Sequence, residues 1–374
     1  MNRFETYAKG EFAMLHYKKT TSCRENNFDF LRILATIAVI MIHVNYIFFQ
    51  FHWETPDLGS LYYVAESLIN IITRFSVPAF VLLSGAFVLQ NPKNKDFKYF
   101  YKKTGYKILL PFLGVVILGL YISEMNVVIA HKSLIGPIKG ALAGSFFNLW
   151  YMYMLLGLYI CVPVIIRIKE VLTVHQYKMV AIGMMLLAIT SQATSHYKVA
   201  YSGGVIAAYL AYFIAGDILH HSLPKPSKNI LFVGLMVILG LVGVTFIIRY
   251  MGFSYYLFNA YTNFFSPAIV LFSLILFYIF RGIHIPFSCN WLSQQTFYIY
   301  LFHTFVIEIN KRFLLRYFPD NEIISIFLIG GITFGVSLML AIGYNHLWRW
   351  LEEKYNAREI WYKLFDRISE KYFY

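Results

Sequence analysis

Apolar runs of about 17 to 25 residues recur along the chain with short polar stretches between them. They fall near 30–51, 66–89, 106–130, 148–168, 177–193, 203–220, 229–249, 262–281, 292–310 and 322–345. Each is about long enough to cross a ~30 Å hydrocarbon core as a helix. The pattern predicts an all-α, polytopic transmembrane helix bundle of about ten helices. Residues 1–29 form an N-terminal tail, 30–345 one membrane domain and 346–374 a C-terminal tail. No internal repeat or inverted symmetry of the kind found in secondary transporters divides the domain.

Composition agrees, with 59% hydrophobic and only 14% charged residues. The first apolar run lacks a small-residue cleavage site and reads as a retained helix. A net charge of +13 in a soluble chain would suggest nucleic acid. Here the charges sit in loops and tails, so membrane topology and anionic partners explain them and no nucleic-acid partner is expected. Most Lys and Arg fall in the tails and in alternate loops. The other loops keep only Lys132, Lys139, Lys198, Arg249, Lys311, Arg312 and Arg316. That bias predicts both termini on the cytoplasmic side. Cys23, Cys161 and Cys289 have no metal-ligand or redox spacing, the histidines outside the spans share none, and no metal site is indicated.

A few ionisable residues interrupt the apolar spans. Arg32 and His43 lie 11 positions apart in "NNFDFLRILATIAVIMIHVNYIFF". At 100° per residue they fall about 20° from one line on the helix and about 16 Å apart along it. With Asp29 and Thr36 they make a polar seam that belongs against protein or water. Taken singly, Arg32 also fits snorkelling to the interface, and His43 also fits a hydrogen-bonded bridge between helices. In the second span, "TRFSVPAFVLLSGAFVL" places Arg74 about 12 Å from the outer end, near the depth of His43, and Pro78 should kink the helix. His303 in the ninth span falls near the same depth. Ser84 and Gly85 suit either helix packing or ligand contact. The lysines of "NPKNKDFKYFYKKTGYKILLP" satisfy the positive-inside rule and also suit phosphates of a soluble nucleotide-bearing donor. Asn148, Trp150 and Tyr151 open the fourth span, where aromatic residues commonly form an interfacial belt and less often stack on a sugar acceptor. Glu124, Asp217, Arg249 and Glu308 lie nearer helix ends and read as interfacial.

Several of these stretches, in this order, resemble the acyltransferase-3 family of bacterial membrane proteins. They are "DFLRILATIAVIMIH", "RFSVPAFVLLSGAFVL", "YKKTGYKILLP", "NLWYMYMLLGLYICVP" and "TFYIYLFH". The resemblance implies transfer of an acyl group, usually acetyl, from cytoplasmic acetyl-CoA to a hydroxyl of a surface polysaccharide or lipid-linked oligosaccharide. It looks closest to stand-alone O-acetyltransferases such as those acting on enterobacterial common antigen, in the bacterial cytoplasmic (inner) membrane. Two positions depart from the family pattern. Thr104 and Lys107 stand where an Arg-x-x-Arg pair is common, and Asn148 stands where a His often precedes "LW".

Carried over residue by residue, the resemblance implies that Arg32, Ser84, Lys103 and Lys107 hold the acyl-CoA. It implies that His43 acts as general base or nucleophile, Arg74 as oxyanion stabiliser or glycan-orienting group, and His303 as proton shuttle. Two readings from other classes remain beside it. One is a proton-coupled transporter or flippase using the same groups as a relay, and the other is a membrane domain that senses or transports amino acids.

Overall fold

The computed structural model describes residues 25–52, 60–130, 149–194, 204–251, 261–317 and 322–372. Among them every regular element is helical. The elements are α1 (Asn26–His52), α2 (Leu61–Thr73), α3 (Ser76–Val88), α4 (Phe97–Thr104), α5 (Leu110–Ala130), α6 (Trp150–Val171), α7 (Val174–Thr194), α8 (Gly204–His221), α9 (Lys228–Tyr250), α10 (Pro267–Gly282), α11 (Asn290–Tyr317), α12 (Glu322–Tyr355) and α13 (Ala357–Tyr372). A single π-helical turn, Gly105–Leu109, joins α4 to α5. Asn148, Lys132, Lys139, Lys198 and Cys23 lie outside the described residues.

Six spans among the described residues are long and apolar enough to cross a membrane: Asn26–Ile47, Leu61–Val88, Phe97–Tyr121, Trp150–Val171, Lys228–Ile248 and Ile323–Tyr355. The other four apolar runs are helical too, as α7, α8, α10 and α11. Helix α9 leaves Phe232, Val233, Leu235, Met236 and Leu239 exposed. Such a surface is an aggregation hazard in water and is satisfied by lipid, because the helix keeps its own backbone hydrogen bonds. The protein is a multi-pass membrane protein.

Helix α1 is the hub, packed against α2, α3, α10, α11 and α12. Its apolar positions Phe28, Leu31, Ala35 and Val39 are buried. Between helices in lipid the hydrophobic effect offers little, so close backbone approach takes its place. Gly85 of α3 and Gly216 of α8 are where this happens. A Cβ on Gly85 would overlap the carbonyl of Phe213, and one on Gly216 would overlap the carbonyl of Leu82.

The second apolar run, Leu61–Val88, is one span whose hydrogen-bond ladder is interrupted ahead of Pro78, while Arg74 and Phe75 keep right-handed helical dihedrals. Pro78 is the third residue of α3 and has no N–H for the Arg74 carbonyl, four residues back. The helix therefore ends at Thr73, where the Arg74 N–H donates to the Ile71 carbonyl at 3.3 Å. It restarts at Ser76, and the Ala79 N–H donates to Phe75 at 2.8 Å. Arg74 occupies the interruption.

Two features lie beyond the sequence expectations. The 346–374 segment is mostly helical, as the end of α12 and then α13. Between them Asn356 sits at φ 47°, a left-handed conformation that Asn tolerates and that commonly ends a helix. Asp217, expected at an interface, is buried at 1% exposure. Its carboxylate pairs with Lys169 at 2.6 Å and accepts from Gln90 at 2.5 Å and the Tyr177 hydroxyl at 3.1 Å. Burying a carboxylate requires such compensation, and this one ties α6, α7 and α8 together.

Candidate active site

The seam of α1 separates two cavities. The first, about 500 Å³, is lined by Arg32, Ser84 and Lys107 together with Tyr106, Tyr159, Gln294, Trp348 and Glu352. It is called the basic cavity below. The second, about 320 Å³, is lined by His43, Tyr46, Asn70, Arg74, Trp150 and Phe264. It is called the histidine cavity. Tyr151 and Tyr300 line both. Their rings meet edge to face at 5.2 Å, an attractive aromatic geometry.

In the basic cavity Arg32 is only part-buried, and its charge is held by Asp29 at 2.8 Å. Asp29 is 1% exposed and also accepts from Ser293 Oγ at 2.7 Å. The Arg32 guanidinium lies 5.0 Å from the Phe87 ring centroid. Snorkelling does not describe this residue, because a packed partner on α11 fixes its carboxylate and the guanidinium faces a cavity. Thr36 donates back to the Arg32 carbonyl at 2.8 Å and so satisfies itself within the seam. Ser84 and Gly85 divide the two roles open to them, since Ser84 faces the cavity while Gly85 packs on α8.

The lysine cluster is largely occupied by carboxylates. Lys95 pairs with Glu170 at 3.1 Å, and Lys98 and Lys102 pair with Asp366 of α13 at 3.1 and 2.6 Å. Those hydrogen bonds, first from Lys102 and then from Lys98, hold the Asp366 carboxyl below its ordinary value of 3.8. Lys103 does not line the cavity, and its ammonium lies 5.6 Å from the Tyr99 ring centroid. Lys107 does line it, carried there by the π-helical turn. A π-turn widens the helix by one residue and is frequent at functional sites. The C-terminal clasp is completed by Trp361, whose indole donates to the Lys102 carbonyl at 2.9 Å, and by Tyr106, which donates to Glu352 at 2.9 Å.

In the histidine cavity Arg74 donates from Nε to Asn70 at 3.1 Å and faces the Phe264 ring at 5.8 Å. The Phe264 carbonyl accepts from Tyr212 at 2.5 Å, which fastens that wall to α8. His43 reaches His303 with ring centroids 5.2 Å apart, and His303 reaches Tyr300 at 5.1 Å. Two helices thus bring Tyr300, His303 and His43 into a row of tilted ring contacts. His303 is fully buried and contacts the Tyr300 carbonyl through Nδ1 at 2.5 Å. A carbonyl only accepts, so Nδ1 carries the proton. His303 Nε2 is buried with no hydrogen-bond partner, which leaves its lone pair unsatisfied.

The structure therefore brings together His43 and Arg74 at one cavity, with His303 directly behind, and Arg32, Ser84 and Lys107 at the other. It leaves Lys103 aside. Sequence reasoning placed Trp150 and Tyr151 in an interfacial belt. Instead both line the histidine cavity, and Tyr151 is buried. Tyr300 was missed altogether, although its i, i+3 spacing to His303 puts the two on one face. Glu66, a carboxylate buried at 2% whose backbone carbonyl accepts from Asn45, was also missed.

Fold and site define a multi-pass membrane protein whose central helix carries one cation and one imidazole into two adjoining cavities. The chain belongs to the acyltransferase-3 family, whose acyltransferase domain matches residues 25–342. It is a membrane acyltransferase. No curated protein and no solved structure matches it.

Proposed function

We propose that the protein is a membrane O-acyltransferase that moves acetyl from cytoplasmic acetyl-CoA to a hydroxyl of a surface polysaccharide or lipid-linked glycan. In this reading ten helices cross the bacterial cytoplasmic membrane, both termini are cytoplasmic, and the basic cavity opens inward. The observation that carries it is the pair of adjoining cavities, one presenting Arg32 and Lys107 and the other His43 and Arg74.

Arg32 and Lys107 bind the phosphate-bearing donor by charge-assisted hydrogen bonds, with Ser84 along the path of its arm. The thioester end points toward the tyrosine wall and His43. In the general-base course, His43 takes the proton of the acceptor hydroxyl as its oxygen bonds the acyl carbon. The C–S bond then breaks, and the CoA thiolate leaves and takes up that proton. In the nucleophilic course, His43 first bonds the acyl carbon, the C–S bond breaks, and the ring N–H proton passes to the departing CoA thiolate. The acceptor oxygen then bonds the acyl carbon, the C–N bond breaks, and the released imidazole takes the hydroxyl proton. Arg74 stabilises the oxyanion in either course. His303, whose ring lies against that of His43, positions it and serves as a nearby proton acceptor.

His43→Ala tests the assignment. The variant is expected to insert normally and to lower acyl transfer by about 10²-fold or more, read by mass spectrometry of the surface glycan. Parental acylation in that variant overturns the reading. The interrupted helix at Arg74 is also a feature of transporters, whose sites form at broken helices. Purified protein in vesicles separates the two: CoA-dependent covalent transfer supports the enzyme, and glycan movement without covalent change supports the transporter.

A further inference from the structure

The two cavities share a wall, and it consists of the Tyr151 and Tyr300 rings. Both residues are buried, at 6% and 7% exposure. Each ring is braced from behind. Tyr300 packs on His303 at 5.1 Å, and Tyr151 packs on Phe80 at 6.0 Å and on Trp150 at 6.5 Å. A donor held by Arg32 and Lys107 has its thioester on one side of this wall, and His43 lies on the other.

We infer that Tyr151 and Tyr300 form an acyl-size filter: the edge-to-face contact of their rings yields enough to pass a short acyl group to His43 and excludes longer ones. The inference rests on the proposed acyl transfer. The physical reason is the rigidity of packed aromatic rings, which have few rotamers and neighbours on both sides. A passing acyl group must displace a ring edge, and each added methylene demands a larger displacement against the braced rings. Shaped apolar sites of this kind discriminate about 10- to 200-fold per methylene. The wall serves a second purpose, since it keeps the thioester out of the acceptor cavity and its water until the acyl group is threaded through.

The filter acts through ring bulk and not through the hydroxyls, so it predicts which substitutions matter. Purified protein is assayed with acetyl-, propionyl-, butyryl- and hexanoyl-CoA, and the transfer rates are compared as ratios. The parental protein is expected to favour acetyl over butyryl by about ten-fold or more. Tyr300→Phe and Tyr151→Phe should keep that ratio within about two-fold. Tyr300→Ala should raise the butyryl-to-acetyl ratio about ten-fold or more and should also raise release of free CoA without acceptor. If Tyr300→Ala is not monodisperse in detergent, Tyr300→Leu and Tyr151→Leu carry the same test.

Loss of packing alone lowers all donors in proportion and leaves the ratio unchanged, and that result overturns the filter. A parental protein that takes butyryl as readily as acetyl overturns it too. A parental protein that transfers no acyl group from any CoA ester removes the proposed function itself, which is a different outcome from an active enzyme with an unchanged ratio.

Discussion

The basic cavity and the histidine cavity share one helix and one wall, yet they are built in different ways. The basic cavity gathers its charged and polar lining from Arg32 of α1, the π-turn after α4 and the end of α12, set against side chains of α3, α6 and α11. Polar partners from distant parts of the chain hold it, including Asp29 with Ser293, Tyr106 with Glu352, and Asp366 with two lysines. The histidine cavity lies in the middle of the bundle beside the helix interruption, and ring contacts, the Arg74–Asn70 hydrogen bond and the Tyr212–Phe264 hydrogen bond support it. One cavity presents charged side chains, whereas the other holds a few polar atoms in a packed setting. Binding and chemistry should accordingly respond to different substitutions.

The sharpest test of that division is Arg74→Ala. If the histidine cavity performs the chemistry, kcat should fall about 10²-fold with little change in donor KM, as expected for losing one oxyanion donor. Arg32→Ala should show the opposite split, raising donor KM about ten-fold at nearly unchanged kcat, as expected for a charge-assisted phosphate contact of about 1.4 kcal/mol. Steady-state kinetics in detergent check both, and equal effects on KM and kcat at both sites would erase the distinction.

A smaller effect is expected from Pro78→Ala. It restores an N–H toward the Arg74 carbonyl and favours a continuous helix. Thermal stability should rise modestly while kcat drops about 3- to 10-fold, a shift of roughly 1 kcal/mol on each side. Unchanged kcat would mean that the break does not aim Arg74.

Smallest is Asp366→Asn, which loosens the α13 clasp at the mouth of the basic cavity. Exposed ion pairs contribute little, so donor KM should change by about two-fold or less. Its pH signature is specific. Because the lysines hold the folded carboxyl below 3.8, the clasp is fully formed above that value and is lost as pH falls through the depressed pKa. The protection of α13 amides relative to their intrinsic exchange rates should be constant between neutral pH and about 4 and fall below. The variant should show the loosened state at every pH.

Much of the central helix was legible in the sequence. Helical periodicity is local, so the 11-residue spacing of Arg32 and His43 already implied one polar face reaching two depths. Depth also paired Arg74 and His303 with His43, because rise per residue is constant. Tyr151 was misread for a related reason. Depth placed it near the membrane surface, but whether a ring at that depth meets lipid or protein depends on which neighbour covers it, here Tyr300 of α11. The lysine cluster was overcounted because its partners Glu170 and Asp366 are remote in sequence, and a charge looks available until its counter-ion is located. The pairing of Ser84 with the cavity and Gly85 with α8 is likewise a matter of neighbours.

What the sequence by itself determined is the one-dimensional part: membrane helices, the polar seam of α1, and a proline that interrupts a helix at an arginine. These follow from apolar length, a fixed rise and turn, and a missing N–H, none of which requires a second helix. What only the tertiary structure decided is the partition of that seam into two cavities by Tyr151 and Tyr300, the ring contact of His303 with His43, and the claim of Asp366 on two lysines. Those depend on which faces of α1, α6, α11 and α13 meet, and in lipid that choice rests on close packing and buried polar pairs rather than on hydrophobic pattern, which is alike on every face.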